Sequence, residues 1–176
     1  VIESHVHVVS QLQQFQHLES LLDRAVALAA SRLRPSKVMS PAAFENAIRT
    51  LHASGGSTNA IVHLIAIAGR LGIDLTLKLF DQLSDSPPLL LNLKPSGQYL
   101  MEDFYYAGGL PVVLRELGTR DCLHKDALTV NGHTLWENVK DAECYDRKVI
   151  FPFSDPFQAT GGIAVLRLSL IHISEP

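Results

Sequence analysis

Leu89-Leu90-Leu91-Asn92-Leu93, set between Pro87-Pro88 and Pro95, is the stretch whose reading decides the fold. It is short, almost wholly apolar and lacks the alternation of a half-buried strand. The pattern therefore predicts a strand buried on both faces. Strands of that kind occur in parallel sheets covered by helices. Lys94-Pro95-Ser96-Gly97 is then the loop leaving the carboxyl end of the strand, where open α/β sheets bind their ligands.

The flanks of this run read as helices. From Leu18 to Leu33 the apolar spacing is helical, with Leu21, Leu22, Ala25, Leu28 and Ala29 on one broad face, and Pro35 ends it. Ser40 and Pro41 supply an N-cap and a first helical residue for a helix carrying Phe44, Ala47, Ile48 and Leu51. Gly55-Gly56-Ser57-Thr58-Asn59 joins it to another, with Ile61, Leu64, Ile65, Ala68 and Leu71 on one face and Gly72 as its stop. Thr76 caps a short helix through Leu79, Phe80 and Leu83. Beyond the leucine run, helical patterns resume at Tyr99–Tyr106 and Leu110–Leu117, separated by Gly108-Gly109. Leu128–Gly132 reads as a strand and turn, Thr134 caps Leu135–Lys140, and Val149-Ile150-Phe151 reads as a short strand. Helices alternating with short apolar strands predict an α/β fold, a fragment of a parallel-sheet α/β/α domain.

Composition narrows the function classes. With 176 residues, 47% of them hydrophobic, the chain has the material for one buried core. A net charge of −3 and the absence of any basic run leave no electrostatic footprint for nucleic acid. No apolar stretch approaches the length of a membrane span, and the opening residues lack the flank and apolar run of a secretory signal. Cys122 and Cys144 form no CxxC or Cys/His metal spacing, so free thiols in a reducing cytoplasm are expected by default, with a disulfide between the two as the alternative.

Few residues present chemistry. In the Gly55–Asn59 turn, two glycines let the backbone approach another group closely, and Ser57 or Thr58 can cap the helix that follows. The first N–H groups of that helix suit a phosphate or carboxylate, although the same turn also serves as a plain helix–helix connection. Glu102 and Asp103 follow the leucine run and could reach a ligand. Being adjacent on a helix they point in different directions, and in a first turn they also favour the helix dipole. The substrate-pocket candidates are therefore Ser57, Thr58, Asn59, Glu102 and Asp103. His5 and His7, two apart on a strand-like segment, could chelate one metal, but the chain supplies no later ligands in the order a barrel hydrolase needs. His52 and His63 read as packed histidines. No nucleophile elbow, phosphate loop or dinucleotide fingerprint is present.

Several segments together resemble the dihydroxy-acid and 6-phosphogluconate dehydratase family. They are Ala43-Phe-Glu-Asn-Ala-Ile-Arg49, Gly55-Gly-Ser-Thr-Asn-Ala60, Leu64–Asp74, Leu91-Asn-Leu-Lys-Pro-Ser-Gly97, Leu100-Met-Glu-Asp103, Ala107-Gly-Gly-Leu-Pro111 and Gly161-Gly-Ile-Ala-Val-Leu-Arg167. Leu128–Asp141 is most similar to the sugar-acid branch, such as L-arabinonate dehydratase, with the branched-chain amino-acid enzyme as the alternative. The resemblance implies a hydro-lyase that removes water from a 2,3-dihydroxy carboxylate to give a 2-keto acid. It further implies an iron–sulfur cluster as Lewis acid, a magnesium ion that orients the carboxylate, and a serine base. By the same resemblance the three cluster cysteines and most magnesium ligands lie upstream of this segment, and the last magnesium ligand and the serine lie downstream. No catalytic residue and no metal ligand is thus expected in this chain. The partner is a small hydroxy acid, and the parent enzyme is expected to be a cytoplasmic homo-oligomer.

Three segments follow from the match. Residues 1–20 resemble nothing in the family, and 21–167 correspond to the middle of the dehydratase N-terminal α/β domain. Residues 168–176 read as the translation of a sequencing adapter. A non-catalytic anion-binding or dimerisation module, resting on the Gly55–Asn59 turn and the Trp136 region, is the competing reading.

Overall fold

A computed structural model describes residues 22–31 and 33–166. His5, His7 and the segments 1–20 and 168–176 lie outside the described residues. The chain divides into two compact units, up to Lys37 and from Val38. In the first, helix α1 spans 22–30, and Leu22 and Val26 on it are exposed, so the broad apolar face expected there is uncovered. Pro35 does not merely stop the preceding helix. It opens α2 (Pro35–Val38), a position where its missing N–H costs nothing.

The helices of the second unit form where the caps and periodicity place them. In α3 (Pro41–Ser54) the Ser40 hydroxyl accepts the Ala43 N–H and Pro41 takes the first turn. Helix α4 (Asn59–Arg70) is followed by Gly72 in the left-handed region. Helix α5 (Leu77–Ser84) is capped by Thr76, whose hydroxyl accepts the Leu79 N–H. Helices α6 (Met101–Tyr106) and α7 (Gly109–Thr119) meet at Gly108-Gly109, both at positive φ. Helix α8 (Leu135–Val139) starts in a capping box of Thr134 and Glu137.

Two apolar clusters hold these helices. One gathers Phe44, Ile48, Ala68, Leu75, Phe80 and Leu83, where α3 packs on α4 and α5. The other gathers Leu90, Leu91, Val112, Val113, Leu117 and Ile150 around α7. Asn46 ties α3 to the segment after α7 by a two-way clamp: its amide donates to the His124 carbonyl (3.0 Å) and accepts the His124 N–H (2.8 Å).

The leucine run departs from expectation in its pairing. Leu89, Leu90 and Leu91 are buried, as the apolar pattern predicts. Their partners, however, form only isolated bridges, Leu89 with Gln158 and Leu91 with Ile150, both antiparallel. Among the described residues there is no parallel sheet, and the unit is mostly helical. The physical reason is that an apolar pattern reports coverage on two faces, not the direction of the neighbouring chain. The Leu128–Gly132 and Val149–Phe151 segments likewise contribute a single bridge each.

Glu116 is the principal buried charge of this unit. Its Oε1 accepts from Arg115 Nη2 (2.8 Å) and Arg147 Nη2 (2.9 Å), and its Oε2 accepts from the Phe153 N–H (3.3 Å). Burial pushes its carboxyl up, but the bonds from Arg115, Arg147 and Phe153 outweigh that and hold it below the usual carboxylate range. A carboxyl depressed in the folded state stabilises fully above its unfolded pKa and loses that stabilisation as the pH falls through its folded one. Glu116→Gln is therefore expected to lower the unfolding free energy by about 2 kcal/mol near pH 7. In urea titrations this gap should close as the pH drops below about 4.

Candidate functional site

The turn after α3 is built by its own backbone. Gly55 lies at φ 60°, and the Gly55 and Gly56 N–H groups cap α3 on the His52 and Leu51 carbonyls (3.3 and 3.2 Å). A side chain at Gly55 would be strained at that φ and would press on Leu89 Cδ1. Gly162 lies against Gly55, where a Cβ would collide with the Gly55 Cα. Two glycines thus let the 158–163 segment cross directly over the turn.

The start of α4 differs from the expected anion-binding terminus. The Ser57 hydroxyl accepts the Asn59 N–H (3.2 Å), and the Ser57 and Thr58 carbonyls accept from Ala60 and Ile61 (3.0 and 3.1 Å). Ser57 is therefore the residue that caps, while Thr58 makes no side-chain cap. With these first N–H groups engaged, the helix terminus has little left to offer an anion.

A cleft of about 820 Å³ lies beside this turn. Gly55, Gly56, Ser57 and Thr58 form one wall, and Lys94, Pro95 and Ser96 form another. Leu89, Leu91, Met101 and Phe104 contribute apolar lining. The structure thus brings the Gly-Gly-Ser-Thr turn to the loop at the end of the leucine run, although the two are far apart in sequence. Lys94 is exposed, makes no ion pair among the described residues, and is the one charged residue lining the cleft. Sequence reasoning marked its loop as a ligand position without selecting Lys94 or Ser96, and their place just after a buried run was the available signal.

The other candidates sit differently. Asn59 begins α4 outside the cleft lining, and Glu102 and Asp103 are exposed on α6 and do not line it either. The Asp103 carboxylate accepts the Leu100 N–H at 2.7 Å, which is helix capping. A second cavity of about 580 Å³, between α3, α4 and α7, is lined chiefly by Ala47, Leu51, Leu64, Leu114 and Leu128 and has no charged lining residue.

Among the described residues no three His, Cys, Asp or Glu side chains converge to hold a metal. Cys122 and Cys144 are free and partly buried against the α7 cluster, and burial pushes the Cys122 thiol up, away from the thiolate a metal requires. The donor set of the described residues does not fit an iron–sulfur cluster or a magnesium ion.

Residues 4–138 match the family model for the dihydroxy-acid/6-phosphogluconate dehydratase N-terminal region, a span that includes most of the stretch 1–20. The chain is 54% identical over 147 residues to an L-arabinonate dehydratase of Rhizobium leguminosarum bv. trifolii, covering 84% of this chain and 25% of that protein. It is 52% identical over 148 residues to an L-arabonate dehydratase of Azospirillum brasilense, with the same coverage. To a dihydroxy-acid dehydratase of Ignicoccus hospitalis it is 48% identical over 147 residues, covering 84% of this chain and 27% of that protein. The chain spans about a quarter of the length of these curated relatives.

His52 fastens the crossing segment to the turn. Its ring is fully buried; Nε2 donates to the Phe80 carbonyl (3.1 Å), and Nδ1 has no hydrogen-bond partner. Its own carbonyl accepts the Gly162 N–H at 2.9 Å. Burial holds the imidazole below its ordinary range, against a smaller opposing pull from the Phe80 and Ile163 backbone. Protonation therefore favours the unfolded chain, so stability is full above the unfolded pKa and declines as the pH falls below about 6.5. Urea unfolding between pH 8 and pH 5 should show this decline, at up to about 1.4 kcal/mol per pH unit. In His52→Gln, whose amide still reaches Phe80, it should flatten.

Proposed function

The chain belongs to the dihydroxy-acid/6-phosphogluconate dehydratase family, and from that premise we propose that it walls the hydroxy-acid pocket of a sugar-acid dehydratase. The whole enzyme on this reading is a hydro-lyase that converts a 2,3-dihydroxy acid such as L-arabinonate to a 2-keto-3-deoxy acid. The observation that carries the reading is the convergence of the Gly55–Thr58 turn and the Lys94–Ser96 loop on one cleft.

The part played by this chain is binding and orientation. The Lys94 ammonium is suited to the substrate carboxylate, and the Thr58 and Ser96 hydroxyls to its hydroxyl groups. Apolar lining from Leu89, Leu91, Met101 and Phe104 displaces water and strengthens those polar contacts. The iron–sulfur cluster and magnesium ion implied by the family resemblance are, on this reading, held by residues outside this chain. The burial of Leu89–Leu91 supports a run covered on both faces within the larger α/β domain of that enzyme. We place the parent enzyme in the cytoplasm as a homo-oligomer. No helix among the described residues is long and apolar enough to cross a membrane.

The greater similarity to the two sugar-acid dehydratases than to the dihydroxy-acid dehydratase favours the sugar acid over a branched dihydroxy acid. In the full-length enzyme, Lys94→Ala is expected to raise KM for L-arabinonate about tenfold, with a smaller change in kcat. Turnover of a branched 2,3-dihydroxy acid in preference to L-arabinonate would overturn the substrate assignment. An unchanged KM in Lys94→Ala would overturn the assignment of the cleft.

A further inference from the structure

Asn92 interrupts an otherwise apolar run, and its side chain is where that run and the loop after it meet. It is 8% exposed, and both ends of its amide are used. Oδ1 accepts the Gln98 N–H at 2.9 Å, and Nδ2 donates to the Lys148 carbonyl at 3.2 Å. The Asn92 backbone is engaged as well: its N–H donates to the Val149 carbonyl (3.0 Å) and its carbonyl accepts the Tyr99 N–H (3.1 Å). Between these fixed points the loop folds back on itself, with Gly97 N–H on the Leu93 carbonyl (2.7 Å) and Lys94 N–H on the Tyr99 carbonyl (2.9 Å). Gly97 passes so close that a Cβ there would collide with the Asn92 carbonyl carbon and Oδ1 and would lie 2.7 Å from the Leu93 nitrogen.

These bonds have one geometric consequence. Lys94, Pro95 and Ser96 are the residues of the loop that line the cleft, and they bridge the two points that Asn92 holds, its own position and Gln98. A leucine at position 92 would satisfy the apolar pattern of the run and the burial of the site, but it would leave the Gln98 N–H and the Lys148 carbonyl without their partner.

We propose that Asn92 is a positioning residue for substrate binding: through the Gln98 N–H it fixes the Lys94–Ser96 wall at the distance from the Ser57–Thr58 wall that a hydroxy-acid carboxylate requires. The inference rests on the reading of the cleft as the hydroxy-acid site. It assigns Asn92 no contact with substrate. Its effect is on where Lys94 and Ser96 stand, so it belongs to KM more than to kcat.

The test uses the full-length enzyme with L-arabinonate. Asn92→Leu, which removes both side-chain bonds, is expected to raise KM about tenfold while kcat changes less. Asn92→Asp keeps an acceptor for the Gln98 N–H but turns an oxygen toward the Lys148 carbonyl in place of the donor, so it should recover part of that loss. A KM rise of the same size in both variants would overturn the role given to the Gln98 bond. If Asn92→Leu does not accumulate as folded enzyme, Gly97→Ala disturbs the same packing from the loop side and should raise KM likewise. Normal KM values in Asn92→Leu, or in Gly97→Ala where it stands in, overturn the inference when Lys94→Ala is impaired. A normal KM in Lys94→Ala points instead to failure of the cleft assignment.

Discussion

The backbone of Leu89–Leu91 is hydrogen-bonded on two sides, and the geometry of the cleft depends on that. On one side Leu89 exchanges bonds with Gln158 (3.0 and 3.2 Å). On the other the Leu90 N–H donates to the Ala53 carbonyl at the end of α3 (2.8 Å) and the Leu90 carbonyl accepts the Phe151 N–H (2.8 Å). Buried backbone groups must find such partners, and here each partner fixes a different segment of the chain. Ala53 places the turn at Gly55, Gln158 places the glycine segment that crosses it, and the far end of the run places the Lys94 loop.

That arrangement explains why the site residues are separated in sequence yet adjacent in space. Gly55–Thr58 leaves a helix whose last turn is bonded to the run, and Lys94–Ser96 leaves the run itself. Gly55 and Gly162 allow a third segment to lie on the same turn without a side chain between them. The positive group of the cleft is consequently a side chain, Lys94, and not the amino terminus of α4, whose first N–H groups are already bonded.

Most helices were legible because their caps are local chemistry. Ser40 with Pro41, Thr76, and Thr134 with Glu137 each mark a start that needs no knowledge of the rest of the fold. The direction of the strand partners was not legible, since Leu89–Leu91 is buried by whatever covers it and carries no signal for parallel or antiparallel neighbours. Glu102 and Asp103 are carboxylates that follow the run closely in sequence, yet Asp103 caps α6 by accepting the Leu100 N–H and neither residue lines the cleft. The role of Asn92 was hidden for the opposite reason. A single polar residue in an apolar run gains meaning only when the loop that returns to it is seen.

On the proposed reading, this chain supplies a binding wall of a dehydratase and leaves the metal chemistry to the remainder of the protein. The most direct measurement of that claim is a crystal structure of the full-length enzyme with L-arabinonate or its keto product bound. The account predicts the ligand between the Ser57–Thr58 turn and the Lys94–Ser96 loop, with its carboxylate within hydrogen-bonding distance of Lys94. A ligand seated elsewhere, with this cleft filled by side chains from the rest of the enzyme, would contradict it.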